Sequence, residues 1–196
     1  MYRAASVLSV LFLVSCTTVD YDAIPITTHS IQPGSSVRKQ NQKIKLYKGK
    51  LELGSNINPY LSVLGQAPVQ QVSVISVVPS IDTPVCEAQT HILGESKLLD
   101  LSVKKIIISR DTPMAQKRFA IAAKLENIDY FSDFAHGAFG KKSGLLMRGP
   151  ELLARGVVVT DARGRIVHLQ INDDITKMPD MKKAFNVANN LIKGSK

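Results

Sequence analysis

The stretch Val72-Ser73-Val74-Ile75-Ser76-Val77-Val78 is almost entirely β-branched and is followed by Pro79. Such a run is typical of a strand buried between two layers, and a proline cannot continue a central strand. Shortly afterwards, Pro84-Val85-Cys86 opens a helix that we predict over residues 84–98. A buried strand that leads directly into a helix indicates an α/β protein.

Strand and helix signals continue to alternate along the chain. A second helix is predicted over residues 113–125, with Asp111 or Thr112 as its N-cap. Further strands are predicted over residues 104–108, 156–160 and 165–169, the last two forming an antiparallel hairpin. A final amphipathic helix has its apolar stripe at Met181, Ala184, Phe185, Ala188, Leu191 and Ile192.

A short hairpin is predicted before the first buried strand. Ile44 and Leu46, and then Leu51 and Leu53, alternate with polar residues on either side of Lys48-Gly49. Taken in order, the elements predict a thioredoxin-like α/β fold, with a central mixed β-sheet flanked by helices and an N-terminal β-hairpin.

The composition excludes several classes of protein. With 44% hydrophobic and 21% charged residues among 196, the chain is neither disordered nor a polytopic membrane protein. Two cysteines, Cys16 and Cys86, are too few for a disulfide scaffold or a cysteine-rich zinc site. The four histidines lack metal-ligand spacing and no glycine-rich phosphate loop is present, so we predict no metal and no cofactor.

The first residues resemble an export signal. Arg3 precedes an apolar run over residues 4–14, which is too short to span a membrane. Leu13-Val14-Ser15-Cys16 is similar to a bacterial lipobox. We therefore expect residues 1–15 to be a lipoprotein signal peptide and Cys16 to be lipidated, which anchors the exported protein to the cell envelope, on its periplasmic or cell-surface side. The alternative is an ordinary cleaved signal with an accidental cysteine.

Residues 16–42 are predominantly polar and are predicted to form a flexible tether, with the folded domain over residues 43–196. The chain has a net charge of +9, and residues 38–50 contain no acidic side chain. The basic residues of that run are Arg38, Lys39, Lys43, Lys45, Lys48 and Lys50. They could contact anionic lipid headgroups, or they could be the solvated face of a strand. No motif for nucleic-acid binding is present, so no nucleic-acid partner is expected.

Cys86 carries the strongest chemical signal. It falls in the first turn of the predicted helix, where the partial positive charge of the helix N-terminus stabilises a thiolate, the nucleophilic form of cysteine. Thr83 stands where a thioredoxin-like redox motif has its first cysteine, so dithiol exchange is not available at this position. The threonine hydroxyl could instead donate a hydrogen bond to the sulfur or to a substrate oxygen. The alternative for Cys86 is a small buried hydrophobic residue.

The pattern Pro79-x-x-x-Thr83-x-x-Cys86 is similar to the active-site signature of peroxiredoxins, and Pro79-Ser80-Ile81-Asp82-Thr83 resembles their thiol peroxidase branch. The resemblance covers roughly residues 43–193, although residues 54–70 match poorly. Segments that follow in the order expected of that branch are 114–119, 153–159 and 173–176.

The resemblance implies a role for each residue of the signature. Cys86 would be the nucleophile that attacks hydrogen peroxide or a small organic hydroperoxide and becomes a sulfenic acid. Thr83 would hold the peroxide, and Pro79 would shield the sulfur from water. Arg155 would place its guanidinium beside the thiolate and the developing negative charge.

One departure from the family pattern matters. The thiol peroxidase branch usually has its resolving cysteine where this chain has Ala120. The resemblance therefore implies a one-cysteine cycle with an external thiol reductant, which could be thioredoxin-like, glutathione or another thiol. It also implies a possible homodimer. The alternatives are a non-catalytic envelope lipoprotein on the same scaffold and a redox sensor whose oxidised Cys86 pairs with another protein.

Overall fold

A computed structural model describes residues 23–194 of the chain. Within that range the strands are β1 (Ile26–Thr27), β2 (Ser36–Lys39), β3 (Gln42–Lys45), β4 (Ser73–Val77), β5 (Lys104–Ser109), β6 (Asp129–Ser132), β7 (Gly156–Thr160), β8 (Ile166–Ile171) and β9 (Met178–Pro179). The helices are α1 (Asn58–Leu61), α2 (Pro84–Glu95), α3 (Pro113–Ala122), α4 (Ala138–Ser143) and α5 (Met181–Gly194), with a 3-10 turn at Ser62–Leu64. The predicted signal peptide and the lipidated Cys16 lie outside the described residues.

The centre of the fold is a mixed five-stranded sheet in the order β6-β5-β4-β7-β8. β4 pairs in parallel with β5 and antiparallel with β7, while β5 and β6 are parallel and β7 and β8 form an antiparallel hairpin. The predicted fold class, a central mixed sheet flanked by helices, is confirmed.

Strand β4 is apolar on both sides because it is the middle strand of a covered sheet. Ile75 and Val77 contribute to one hydrophobic cluster, whereas Val74 and Val78 contribute to another on the opposite face. Helix α5 covers the second face, and the predicted apolar stripe supplies its buried residues. These are Met181, Ala184, Phe185 and Ala188.

The predicted N-terminal hairpin is wrong in its position. The hairpin consists of β2 and β3, and its turn is at Gln40, which has a left-handed backbone with φ of 56°. Leu46 and Leu51 do not pair with each other, because both are buried against the segment that includes α4, through backbone bonds to residues 142–147. Leu53 is exposed, so the alternation that suggested a second strand there has no buried face.

The folded domain begins before residue 43, so the prediction of a flexible tether reaching to residue 42 is wrong from β1 onward. Thr27 and Val37 are buried, and β1 pairs in parallel with β9. Polar composition misled the prediction here, because these strands are only two and four residues long and bury few side chains.

Two helices end earlier than predicted, and β6 and α4 are among the elements that were not predicted. Helix α2 ends at Glu95 because Ser96 is extended, and α3 ends at Ala122, two residues before the left-handed Lys124. β6 is a short edge strand, and α4 is a six-residue helix enclosed by two left-handed glycines, so neither gives a clear periodic pattern. Among residues 23–194, every helix is too short or too polar to cross a lipid bilayer.

Candidate active site

Two features of the fold bring residue 155 beside residue 86. Strand β4 ends at Val77, and its chain turns through a short loop into α2, whose first turn contains Cys86. The antiparallel register pairs Val77 with Gly156, so Arg155 lies next to the end of β4 from which that loop leaves. The register of two neighbouring strands therefore places a cation at the start of a helix that is far away in sequence.

The sulfur of Cys86 receives two hydrogen bonds. Thr83 Oγ1 donates to Sγ at 2.9 Å, and Arg155 Nη2 donates to Sγ at 3.2 Å. Cys86 is fully buried, whereas Thr83 is exposed. Thr83 occupies the N-cap of α2, yet its hydroxyl makes no capping bond to a backbone N–H. The hydroxyl points to the sulfur instead, and only its carbonyl serves the helix, by accepting from the Cys86 and Glu87 N–H groups.

Arg155 is a buried cation without a carboxylate partner among residues 23–194. Its relative exposure is 2%, and its Nε donates to the Ile175 carbonyl at 2.8 Å. Its two other recorded partners are Gln89 Oε1 and the Cys86 sulfur. Burying an unpaired charge is costly, so the guanidinium favours a negative charge on the one ionisable group that it contacts. That group is the thiol of Cys86.

Gln89, which was not predicted as a site residue, holds the guanidinium in place. Its Oε1 accepts from Arg155 Nη1 at 2.7 Å, while its Nε2 donates to Ser76 Oγ at 2.6 Å and to the Gly156 carbonyl at 3.1 Å. Gln89 is fully buried one turn after Cys86, on the same side of α2. A polar residue three positions after the nucleophile, on the buried side of a helix, is the signal that could have found it.

Asp111 fixes the loop that leads into the active site. One carboxylate oxygen accepts from Ser80 Oγ at 2.7 Å, and the other accepts from the Ile81 backbone N–H at 2.8 Å. The sequence named Asp111 only as a possible cap of α3, but Thr112 is the residue that caps this helix. Asp111 therefore ties the end of β5 to the loop between β4 and α2. Pro79, predicted to shield the sulfur, is buried at the start of this loop.

Ala120 lies on the buried side of α3, with 7% exposure. Its neighbour Phe119 is partly buried and makes edge contacts with the rings of His91 and Tyr130, at 6.5 Å between centroids in each case. A cavity of about 370 Å³ separates α3 from the active-site loop, and its lining includes Ile81 and Phe119. Cys86 is the only cysteine among residues 23–194, so this part of the chain cannot form an internal disulfide.

The structure thus brings together three of the four predicted site residues by direct contact, namely Cys86, Thr83 and Arg155, with Pro79 nearby in sequence. Their catalytic roles remain predictions. The described His, Cys, Asp and Glu residues form no group of three or more that could hold a metal ion.

Comparison with protein-family models gives a match to the model described as Redoxin, over residues 65–187. The chain belongs to the Redoxin family. The matched Redoxin region contains the signature at residues 79–86, Gln89, Asp111 and Arg155. The resemblance to the thiol peroxidase branch of the peroxiredoxins, predicted from the sequence, is confirmed by the relatives described next.

Curated Redoxin relatives of this chain are named thiol peroxidase. The chain is 38% identical over 123 residues to the thiol peroxidase of Bacillus subtilis (strain 168), which covers 63% of this chain and 74% of that protein. It is 34% identical over 160 residues to the thiol peroxidase of Staphylococcus epidermidis, which covers 78% of this chain and 96% of that protein.

Solved structures agree with the Redoxin assignment. A peroxiredoxin-like protein from Aquifex aeolicus superposes with a TM-score of 0.66 at 25% identity, covering 82% of this chain and 99% of that one. Thiol peroxidase from Chromobacterium violaceum superposes with a TM-score of 0.61 at 14% identity, covering 82% and 97%. At that identity the second likeness establishes the fold alone.

Proposed function

We propose that this peroxiredoxin-type thiol peroxidase reduces hydrogen peroxide and small organic hydroperoxides through Cys86, in a one-cysteine cycle. The observation that carries the proposal is the buried guanidinium of Arg155, which has no carboxylate partner among residues 23–194 and lies 3.2 Å from Sγ. The arrangement stabilises a thiolate and supplies positive charge where negative charge develops during the reaction.

In the first step, the Cys86 thiolate attacks the terminal oxygen of the hydroperoxide. A sulfur–oxygen bond forms and the oxygen–oxygen bond breaks, so that the sulfur is oxidised to the sulfenic acid and the peroxide is reduced. The leaving alkoxide or hydroxide takes up a proton and departs as alcohol or water. Arg155 and the Thr83 hydroxyl, both within hydrogen-bonding distance of Sγ, are placed to hold the peroxide oxygens and stabilise the leaving charge.

The second half of the cycle needs thiols from outside the domain. Because Ala120 replaces the expected resolving cysteine, one external thiol attacks the Cys86 sulfenic acid, forms a mixed disulfide and releases water. A second thiol then attacks that disulfide, which regenerates the Cys86 thiol and leaves the reductant as a disulfide. The reductant class, thioredoxin-like, glutathione or another small thiol, is part of the proposal.

Intact-mass measurement tests the chemistry directly. Purified protein exposed to limiting hydrogen peroxide should gain one oxygen atom, and continuous peroxide consumption should require an added thiol. Cys86→Ser should gain no oxygen, whereas Cys16→Ser should behave like the wild type because it leaves the site unchanged. If hydrogen peroxide oxidised Cys86 no faster than it oxidises free cysteine, the proposed peroxidase activity would be contradicted. A redox sensor would be favoured if Cys86 gained oxygen and then formed a stable disulfide with a second protein, while peroxide was not consumed continuously.

We further propose that the protein is exported and held at the cell envelope by a lipid on Cys16. The support is the sequence of residues 3–16, namely Arg3, an apolar run of signal-peptide length and the lipobox-like end. More than one acyl chain is needed for stable anchoring, and lipoprotein-type modification supplies it. Labelled palmitate should be incorporated into the wild type and not into Cys16→Ser. Equal labelling of both would contradict this proposal.

A homodimer also remains a prediction, based on the resemblance to peroxiredoxins. Sedimentation velocity of the purified protein, compared with the chain mass of 21.4 kDa, would test it.

A further inference from the structure

The outer side of the β2–β3 hairpin carries three basic side chains and no acidic one. Val37 and Ile44 pair across the hairpin and are buried, so the alternate positions face outward. Those outward positions carry Arg38 opposite Lys43, with Lys45 two residues further along β3. Like charges directly opposite each other destabilise a strand pair unless an anion lies nearby.

The loop before β9 adds a fourth cation to the same side. Arg38 Nη2 bonds to Asp173 Oδ2 at 2.6 Å, and the Arg38 backbone bonds to residues 173 and 175. Although partial burial opposes the shift, the hydrogen bond from Arg38 and the charges of Arg38, Lys177 and His29 lower the pKa of Asp173. Lys177 lies in the same turn as Asp173, because its N–H donates to the Asp174 carbonyl at 3.3 Å and its carbonyl accepts from Asn172 Nδ2 at 2.6 Å. We call Arg38, Lys43, Lys45 and Lys177 the basic face.

Asp173 is an acidic side chain beside this face, and its ion pair is with Arg38. Lys43, Lys45 and Lys177 have no ion-pair partner among the salt bridges of residues 23–194. The remaining positive charge is therefore available to an external anion.

The length of chain before the folded domain limits which side of the molecule can approach an anchoring membrane. Ile24 packs against the second hydrophobic cluster, and the Met178 N–H donates to the Pro25 carbonyl at 2.8 Å. The eight Cα-to-Cα steps from Cys16 to Ile24 span at most about 28 Å when fully extended. A folded body of this size is about 40 Å across, so a lipid on Cys16 reaches the bilayer only from the side near Pro25. Lys177 adjoins Met178 and so belongs to that side.

We propose that the basic face binds the anionic headgroups of the membrane to which Cys16 is anchored. The inference rests on the proposed lipid anchor, and it selects the first of the two interpretations left open by the basic run in the sequence. Residues 173–175 connect the basic face to the Cys86 sulfur through hydrogen bonds. Residues 173–175 bond to Arg38, and the Ile175 carbonyl accepts from Arg155, which contacts Cys86. Binding at the basic face therefore keeps the active-site end of the domain close to the bilayer.

Vesicle binding of the full chain carrying Cys16→Ser tests the face without its lipid. Partitioning is measured by flotation with neutral phosphatidylcholine vesicles and with vesicles that also contain phosphatidylglycerol. Residues 1–15 are the same in every sample, so their contribution cancels when variants are compared on one type of vesicle. We expect preference for the anionic vesicles, and Lys43→Gln with Lys45→Gln should weaken that binding about 25-fold, or about fivefold for each charge.

The matched control is Lys97→Gln with Lys117→Gln, which removes the same charge from exposed positions outside the basic face. This control should change binding less than twofold. Equal weakening by both pairs on the anionic vesicles, or no weakening by Lys43→Gln with Lys45→Gln, would overturn the proposal. Oxidation of Cys86 by hydrogen peroxide without vesicles should be the same in all variants, which shows that they are folded. Failure of that oxidation in the wild type would count against the peroxidase and not against the basic face.

Discussion

The side-chain oxygen of Gln89 lies 2.7 Å from Nη1 of Arg155, so a neutral amide orients the buried guanidinium. A carboxylate at this position would satisfy the cation and remove its preference for a negative charge on Cys86. The neutrality of Gln89 is therefore as important for the site as its hydrogen bond.

Gln89→Glu should slow the oxidation of Cys86 at least about tenfold, because the new carboxylate competes with the sulfur for the Arg155 guanidinium and a cost of about 1.4 kcal/mol is one factor of ten. Single-turnover oxidation by hydrogen peroxide measures the rate. Gln116→Glu is the control, since that buried amide likewise donates to a serine hydroxyl and a carbonyl but lies on α3. A Gln89→Glu rate equal to that of the wild type would contradict the assigned role of Gln89.

Arg155→Met should reduce the rate constant for oxidation by hydrogen peroxide by about 10²- to 10³-fold, the usual effect of removing one preorganised donor at a developing charge. Rapid-mixing kinetics under single-turnover conditions measure it. Arg148→Met serves as the control, because Arg148 is exposed and stacks on Tyr47 instead of contacting the site. Unchanged kinetics in Arg155→Met would remove the role assigned to this residue.

Thr83→Val should slow oxidation by about 10- to 100-fold, because it removes the hydroxyl that donates to Sγ at 2.9 Å while keeping the branched shape. Thr83→Ser keeps the hydroxyl and should retain most of the rate. The same peroxide titration measures both variants. If valine and serine slowed the reaction equally, the shape of the side chain and not its hydrogen bond would be responsible.

Asp111→Ala should destabilise the fold by about 1–3 kcal/mol, because Ser80 and the Ile81 N–H lose their acceptor, and should also slow oxidation. Denaturant unfolding gives the free energy and peroxide kinetics give the rate. Asp161→Ala removes a carboxylate that accepts two backbone N–H bonds in the β7–β8 turn. This control should lose stability and keep its rate, whereas equal slowing in both variants would show that the rate reports only stability.

The free energy of unfolding should fall as the pH drops below about 6.5, the ordinary pKa of histidine. Burial and the charge of Lys183 lower the pKa of His168, although Asp180 opposes them, and His168 Nε2 is buried without a hydrogen-bond partner among the described residues. The unfolded chain therefore binds a proton before the folded one does, so stability is full above the unfolded pKa and is lost on acidification.

Urea unfolding at a series of pH values measures this dependence. His168→Leu should flatten the profile between neutral and mildly acidic pH. Lys183→Gln should make the loss of stability smaller than in the wild type, because it removes a charge that lowers the pKa of His168. A His168→Leu profile as steep as that of the wild type would assign the proton uptake to other groups.

The sequence was sufficient for the parts of the fold that have strong periodic or repeated apolar patterns. The buried strand before Pro79, the β7–β8 hairpin and the apolar stripe of α5 are all confirmed. It was insufficient for β1 and β2, which bury only single side chains and are specified by pairing with β9 and β3.

The candidate site divides in the same way. The local signature places Thr83 and Cys86 together, because they are three residues apart at the start of one helix. Gln89 and Asp111 act through contacts with residues up to 67 positions away, and no short pattern encodes the strand register that creates those contacts. The resemblance to a family supplied Arg155, which spacing alone would not have selected.

Cys86 is completely buried, whereas the neighbouring Thr83 and Pro84 are exposed. The oxidising peroxide and the reducing thiol differ in size, so they differ in how easily they reach the Cys86 sulfur. A peroxide of a few atoms can approach the sulfur past the threonine, but a protein thiol cannot touch it while α2 keeps its first turn. In the proposed cycle, regeneration by a protein thiol would therefore require that turn to open, whereas oxidation by a small peroxide would not.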